Sequence, residues 1–407
     1  MEKEKIIKNV VQMIEDVRNN GDKAVVRLSK MFGEEVSDIE VLKDEIKKAY
    51  KSVDKESIDA LKQAAKNITS FAKEQMKQFR SFETVKKGIV LGQKVAPIEK
   101  VGCYVPGGRY PLPSSALMSV IPAKVAGVKE IIMCSPKIQP ITVVAADIAG
   151  ADRIFRIGGV QAIAAMAYGT KTVPKVDKIV GPGNKYVTET KRQVFGDVGI
   201  DFIAGPSEVL IIADKFADPK IVAADMLAQA EHDEDAVPLC LASEAIADSI
   251  KEEIKGQLEG LGTKETAEKA LQNGGIIIVK NMGEAIKIAN EMAPEHLELQ
   301  IKNPEKYLCR FVNFGSMFIG ENSAEVFGDY CAGPNHILPT SRAARYTGGL
   351  SVNDFVRLQT YQKITKKAAS RLSSIAEKLA EIEGLDAHKK SAKIRKEKFK
   401  NYINKNI

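Results

Sequence analysis

Gln229 and His232 stand one helical turn apart in the stretch IVAADMLAQAEHDEDA, residues 221–236. Apolar residues at Val222, Met226 and Leu227 give that stretch a helical period, so the amide and the imidazole project from one face near the helix end. Such a pair can hold two corners of a metal site. A helix C-terminus ending in a solvated acidic cluster, Glu231, Asp233 and Glu234, is the plainer account of the same residues. The histidine inventory bears on the choice. The chain has only four, His232, His296, His336 and His388, and each has carboxylates or amides nearby. Acid–base work near neutral pH and metal ligation are what imidazole does better than other side chains.

Glu295 and His296 follow Pro294 and read as a loop in which both side chains line one pocket. A glutamate and a histidine at one reacting centre can divide the work, one taking a proton and the other activating water. A surface Glu beside a hydrogen-bonded His is the alternative. Asp329 and His336 bracket a Gly/Pro-rich turn, GDYCAGPNH. Gln229, His232, Asp329 and the distant His388 form a nitrogen–oxygen set suited to zinc. With open coordination that set would hold a substrate amine or alcohol oxygen and ease its deprotonation.

The elements that must position these residues follow from periodicity. Residues 2 to about 81 have a helical pattern, broken at Gly21-Asp22 by a C-cap and turn. From Lys94 short β-branched runs alternate with helical ones: VGCYV, ALMSVIPAKVAGV, EIIMC, ITVVAADIAG, RIFRIGG, VQAIAAMAYG and KIVGPGN. A second set runs EVLIIAD, the Gln229–His232 helix, VPLCLAS, a long helix, GGIIIVK, another helix and FVNFGSMFIG. This alternation predicts two α/β domains of related build, each a parallel sheet covered by helices. Beyond Arg342 the chain is loop-rich and then helical, too small to fold alone. The glycine loops VPGGRYPLPSS and GPGN follow strands, yet neither is a GxGxxG nor a P-loop fingerprint. They fit plain turns as well as close approach to a ligand.

At 407 residues, 44% hydrophobic and 28% charged, the chain can bury a large core. No apolar run approaches the roughly 20 residues of a membrane span, and the charged amphipathic N-terminus is not a secretory signal. The five scattered cysteines, Cys103, Cys134, Cys240, Cys309 and Cys331, include no CxxC pair. A cytoplasmic protein without membrane attachment is expected. The net charge of +7 sits largely in the last stretch. There Ala392, Ile394, Phe399 and Ile403 give a helical apolar stripe, so a solvated helix face is expected rather than a nucleic-acid surface.

Taken together, the motifs DVRNNGDKAV, YVPGG, PAKVAGV, IGGVQAIAAMAYGT, PKVDKIVGPGN, KRQVFGDVGIDFIAGPSEVLIIAD, LAQAEHD, PEHLE, GDYCAGPNHILPT, GLSVNDF and EGLDAH resemble the histidinol dehydrogenase family. The likeness runs over nearly the whole chain. It implies one zinc per subunit held by Gln229, His232, Asp329 and His388, with Glu295 and His296 as the acid–base pair. Tyr104, Gln161 and Asn184 match NAD-contacting positions. Ser207, His336 and Glu383 match substrate contacts, alongside Gln229, His232, His296, Asp329 and His388. The implied reaction is the four-electron oxidation of L-histidinol through histidinal to L-histidine, with two NAD reduced.

The implied fold is two incomplete Rossmann-like domains with parallel sheets, plus small helical terminal elements swapped in a homodimer with shared active sites. Residues 1–102 with 211–342 would form one domain and 103–210 the other. Residues 343–407 would form a helical tail docked on the partner, whose site takes His388. The segments at Arg109–Ser115 and after LPT depart from the family's commoner wording. A different small alcohol, such as a sulfonated diol, is therefore the alternative substrate. A metal-dependent hydrolase is the alternative chemistry.

Overall fold

The computed structural model describes residues 2–107 and 110–402, so Arg109 and Ile403 lie outside the described residues. The chain opens with four helices: α1 (Glu2–Asn20), α2 (Asp22–Met31), α3 (Lys43–Ser52) and α4 (Lys55–Met76). There follow β1 (Phe82–Lys86), β2 (Ile89–Pro97), β3 (Lys100–Tyr104), α5 (Pro113–Ala126), β4 (Glu130–Cys134), α6 (Pro140–Ala149), β5 (Arg153–Phe155), α7 (Gly159–Tyr168), β6 (Lys178–Val180), α8 (Lys185–Val194) and β7 (Gly199–Ile200). A second run comprises β8 (Glu208–Ala213), α9 (Pro219–Ala230), β9 (Val237–Ala242), α10 (Glu244–Leu258), α11 (Lys264–Leu271), β10 (Gly275–Ile278), α12 (Met282–Met292), β11 (His296–Gln300), β12 (Ser316–Ile319) and α13 (Glu325–Tyr330). The chain closes with β13 (Val356–Ile364), α14 (Lys366–Ile382) and α15 (Asp386–Phe399).

These elements form two compact units, one running to Met76 and from Ile98 to Phe355, the other from Lys77 to Pro97 and onward from Val356. The first unit holds two five-stranded sheets, β5-β4-β3-β6-β7 and β10-β9-β8-β11-β12, every pairing parallel. Counted within its own run, each sheet has strand order 3-2-1-4-5, which is a Rossmann half with its switch point beside the first strand. Local sequence sets the boundaries. Pro113, Pro140 and Pro219 open α5, α6 and α9, where a missing N–H costs nothing, and Gly127 and Gly150 close α5 and α6 in the left-handed conformation.

The cores follow from period. On α1, Val10, Ile14 and Val17 form a buried stripe that joins Ala24, Val25 and Leu28 of α2 and the apolar face of α7 beside the first sheet. Leu210, Ile212, Leu297 and Leu299 fill one side of the second sheet against α12. In the second unit β1, β2 and β13 make an antiparallel sheet, with Tyr361 opposite Gly92, and α14 packs along α15. Strand β13 replaces what periodicity read as loop and helix beyond Arg342, and β1 and β2 begin just after the helical pattern that ends near residue 81. Their side chains are mostly exposed or half-buried, so they lack the apolar runs that mark the buried strands.

Candidate active site

The first sheet presents a crevice at the carboxyl ends of β3 and β6, where open α/β sheets bind ligands. Tyr104 ends β3, and its Oη accepts the Gly159 N–H at 3.1 Å. Gln161 is buried in the first turn of α7; its Nε2 donates to Ser29 Oγ at 3.3 Å, and its Oε1 has no partner. Asn184 caps α8, its Oδ1 accepting from Tyr186 and Val187 at 3.0 and 3.2 Å. Gly181 begins the loop between β6 and that cap at φ 118°, packed so closely on Tyr104 that a Cβ would collide with the tyrosine carbonyl. A buried Lys191–Asp201 ion pair anchors the same loop: Lys191 Nζ donates to the Gly181 carbonyl at 3.0 Å, and Asp201 Oδ2 accepts the Gly181 N–H at 2.8 Å. Beyond the ends of β3 and β4 lies a cavity of about 390 Å³ lined by Pro106, Gly107, Ser135, Pro136 and Gln139.

The second sheet carries its polar side chains at the opposite, amino edge. Ser207 and Glu208 lead into β8, and His296 is the first residue of β11. Glu295-His296 is therefore no open loop. Glu295 immediately precedes β11, an interior strand of the second sheet between β8 and β12, His296 begins it, and the two are 5% and 4% exposed. Along β11, His296, Glu298 and Gln300 occupy one face while Leu297 and Leu299 fill the apolar core on the other. The polar face looks toward α9, on which Asp225 and Gln229 are one turn apart and buried. Because α9 returns from β8, Gln229 near its C-terminus and His232 in the turn just beyond it come back to the strands' amino edge.

Asp329 joins the parts. Its Oδ1 lies 3.5 Å from His296 Nε2, its Oδ2 lies 3.7 Å from His232 Nε2, and its carbonyl accepts from His336 Nδ1 at 2.8 Å. His336 Nε2 lies 3.1 Å from Ser115 Oγ. His232, Glu325 and Asp329 each offer an atom within 4.8 Å of the others, a candidate metal set. Gln229 is fully buried with both amide atoms unpartnered, a state that costs about 1–3 kcal/mol per group unless something is bound. Glu383 and His388 lie in the second unit, at the end of α14 and in the first turn of α15, and both are exposed.

Several charges differ from solution values. Burial pushes the Glu295 carboxyl up to about 7, against the pull of His296, while its Oε2 accepts the Glu208 N–H at 2.9 Å. Burial opposes charge on His296, yet Glu325, Glu295 and Asp329 together hold its pKa well above the ordinary value. Burial likewise works against ionised Asp329, but His232 and His296 outweigh it and keep the carboxylate charged. Burial lowers the His336 pKa. Beneath the imidazole, burial raises Glu325, Asp225 and Glu298, the last to about 8. Glu325, Glu298, Asp225 and Ser115 are absent from the sequence-based site. Their signals are faint: polar residues at alternate positions of a buried strand, and carboxylates four apart, as at Glu325 and Asp329.

A sequence profile of the histidinol dehydrogenase family matches residues 1–396. Histidinol dehydrogenases of Methanocaldococcus jannaschii and Clostridium acetobutylicum are each 48% identical to this chain, over 399 and 402 residues. Those alignments span 96% and 97% of this chain and 93% of each relative. The crystal structure of histidinol dehydrogenase from Elizabethkingia anophelis superposes with a TM-score of 0.92 at 40% identity, covering 97% of this chain and 92% of that one. The chain belongs to the histidinol dehydrogenase family, whose members are NAD-dependent oxidoreductases that use zinc.

Proposed function

We propose that the protein oxidises L-histidinol through L-histidinal to L-histidine at the end of histidine biosynthesis, reducing two NAD. The observation that carries this is the unpartnered Nε2 of buried His296, aimed at Asp329 beside the orphaned Gln229 amide. The wider likeness favours histidinol over another small alcohol, because two relatives of that name match 48% of positions over almost the whole chain. Gln229, His232 and Asp329 fit zinc by donor type, and the buried Gln229 amide, unpartnered among the described residues, fits a bound cation. When bound, zinc would supply a Lewis acid that holds the substrate's amine and imidazole nitrogens. NAD, held by Tyr104, Gln161 and Asn184, would supply the hydride acceptor.

His296 Nε2 takes the alcohol proton in the first oxidation. Glu295, with its carboxyl near 7, is ionised at mildly alkaline pH and draws a proton from water for attack on the aldehyde. Ser207, His336 and Glu383 orient the substrate. Residues 103–210 carry the cofactor-contacting loops, and residues 211–342 carry the zinc and substrate helix and the Glu295-His296 pair. Among the described residues no helix is long and apolar enough to cross a membrane, which accords with a cytoplasmic enzyme.

His388 enters the site from a second copy of the chain in a homodimer. The support is the exposed apolar surface of α14 and α15, where Ile375, Leu379 and Ile382 fall at helical spacing and are continued by Leu385 and Ile394. Separated half-reactions test the division of labour. His296→Asn is expected to abolish alcohol oxidation, while Glu295→Gln spares it and slows conversion of supplied L-histidinal. Equal loss of both half-reactions in Glu295→Gln would overturn the assignment.

A further inference from the structure

His296 is hydrogen-bonded on one side of its ring, while on the other only the Asp329 carboxylate approaches, 3.5 Å away. Its Nδ1 lies 3.2 Å from the Glu208 carbonyl oxygen, which can only accept, so Nδ1 carries the proton. Its Nε2 has no hydrogen-bond partner among the described residues. A second group stands at Nδ1: Glu325 Oε1, 3.4 Å away. Glu325 is 2% exposed, its Oε2 has no partner, and its backbone N–H donates to Glu298 Oε1 at 2.9 Å. Glu298 shares its strand face with His296, two residues further on. One strand thus supports the imidazole and also fixes the start of α13, from which the Glu325 carboxylate reaches that ring.

Glu325 also belongs to the candidate metal set with His232 and Asp329, so two roles compete for it. The geometry separates them. Glu325 faces the ring nitrogen that bears the proton, whereas Gln229, in the last turn of α9 and three residues before His232, is an amide with no partner among the described residues.

We propose that Glu325 is a positioning residue for His296 and not a metal ligand. Its carboxylate faces the Nδ1–H and, with the Glu208 carbonyl, holds the ring so that Nε2 is the nitrogen turned toward the substrate. This rests on His296 being the base of the alcohol step.

The test uses full-length, zinc-loaded protein. Glu325→Gln is expected to lower kcat for L-histidinol about 10- to 100-fold, the usual effect of removing such a partner. KM should stay within about twofold, with zinc per chain and resistance to a competing chelator as in the wild type. Glu325→Asp, which keeps the charge but withdraws it, should fall between the two in kcat. Loss of zinc from Glu325→Gln would make Glu325 a ligand and overturn the proposal. Wild-type kcat in either variant would overturn it as well. If Glu325→Gln is insoluble, Glu325→Asp alone decides: lowered kcat with full zinc supports the role, and lost zinc or unchanged kcat refutes it. His296→Asn assayed in parallel keeps the two claims apart, since wild-type alcohol oxidation by that variant would refute the role of His296 itself.

Discussion

The carboxyl pair beneath the imidazole makes a prediction about stability that needs no turnover. Glu298 is fully buried, its Oε2 has no donor among the described residues, and the Asp225 carboxyl faces it. One proton held between the two carboxyls satisfies both. Burial lifts Glu298 to about 8, against about 4.5 in an unfolded chain. Because the folded pKa lies above the unfolded one, the native state holds a proton that the unfolded chain has lost. Stability therefore falls as pH rises through this window and levels off above about 8. A difference of one proton corresponds to about 1.4 kcal/mol per pH unit, or about 4 kcal/mol between pH 5 and 8. Glu298→Gln keeps an acceptor for the Glu325 N–H and supplies Asp225 with a permanent donor, which removes the titration. Urea unfolding of metal-free wild type and variant, at equal protein concentration between pH 5.5 and 8.5, should show the wild type losing ground by that slope with m unchanged. Parallel curves would refute a shared proton at this pair.

Two further outcomes follow from the same geometry. Gln229→Met removes two unpartnered buried polar atoms, so it should raise the urea midpoint of the metal-free protein by about 1–3 kcal/mol of stability while weakening zinc binding at least tenfold in chelator competition. Mixing inactive His388→Ala with inactive His296→Asn chains should restore part of the activity if one site takes residues from two copies. No recovery in verified mixed dimers would count against the shared site.

The alternation of strands and helices was legible because buried parallel strands are continuous apolar runs, as at EIIMC and VPLCLA, and their helices carry proline and glycine punctuation. Strands β1, β2 and β13 escaped notice because their side chains are mostly exposed or half-buried and β2 pairs with β13 across more than 250 residues of sequence. Nothing in the pattern of α1–α4 says which sheet they cover; that is decided by tertiary packing. At the site, histidine scarcity drew attention to His232, His296 and His336, which Asp329 does bring together. His388 lies in the other unit. Reading Glu295-His296 as a loop failed because His296 begins a strand whose polar face is buried against other polar side chains. HLELQ does alternate with period 2, but a buried glutamate at Glu298 counts against a core strand in any composition rule.

The account's central claim, an alcohol and an aldehyde oxidised in succession at one site, is tested most directly by counting NADH formed per L-histidinol by zinc-loaded protein run to completion at mildly alkaline pH. Two NADH per histidinol, lost on chelation and regained with zinc, is the predicted result. One NADH with aldehyde accumulating, or none from folded, metal-loaded protein, would contradict it.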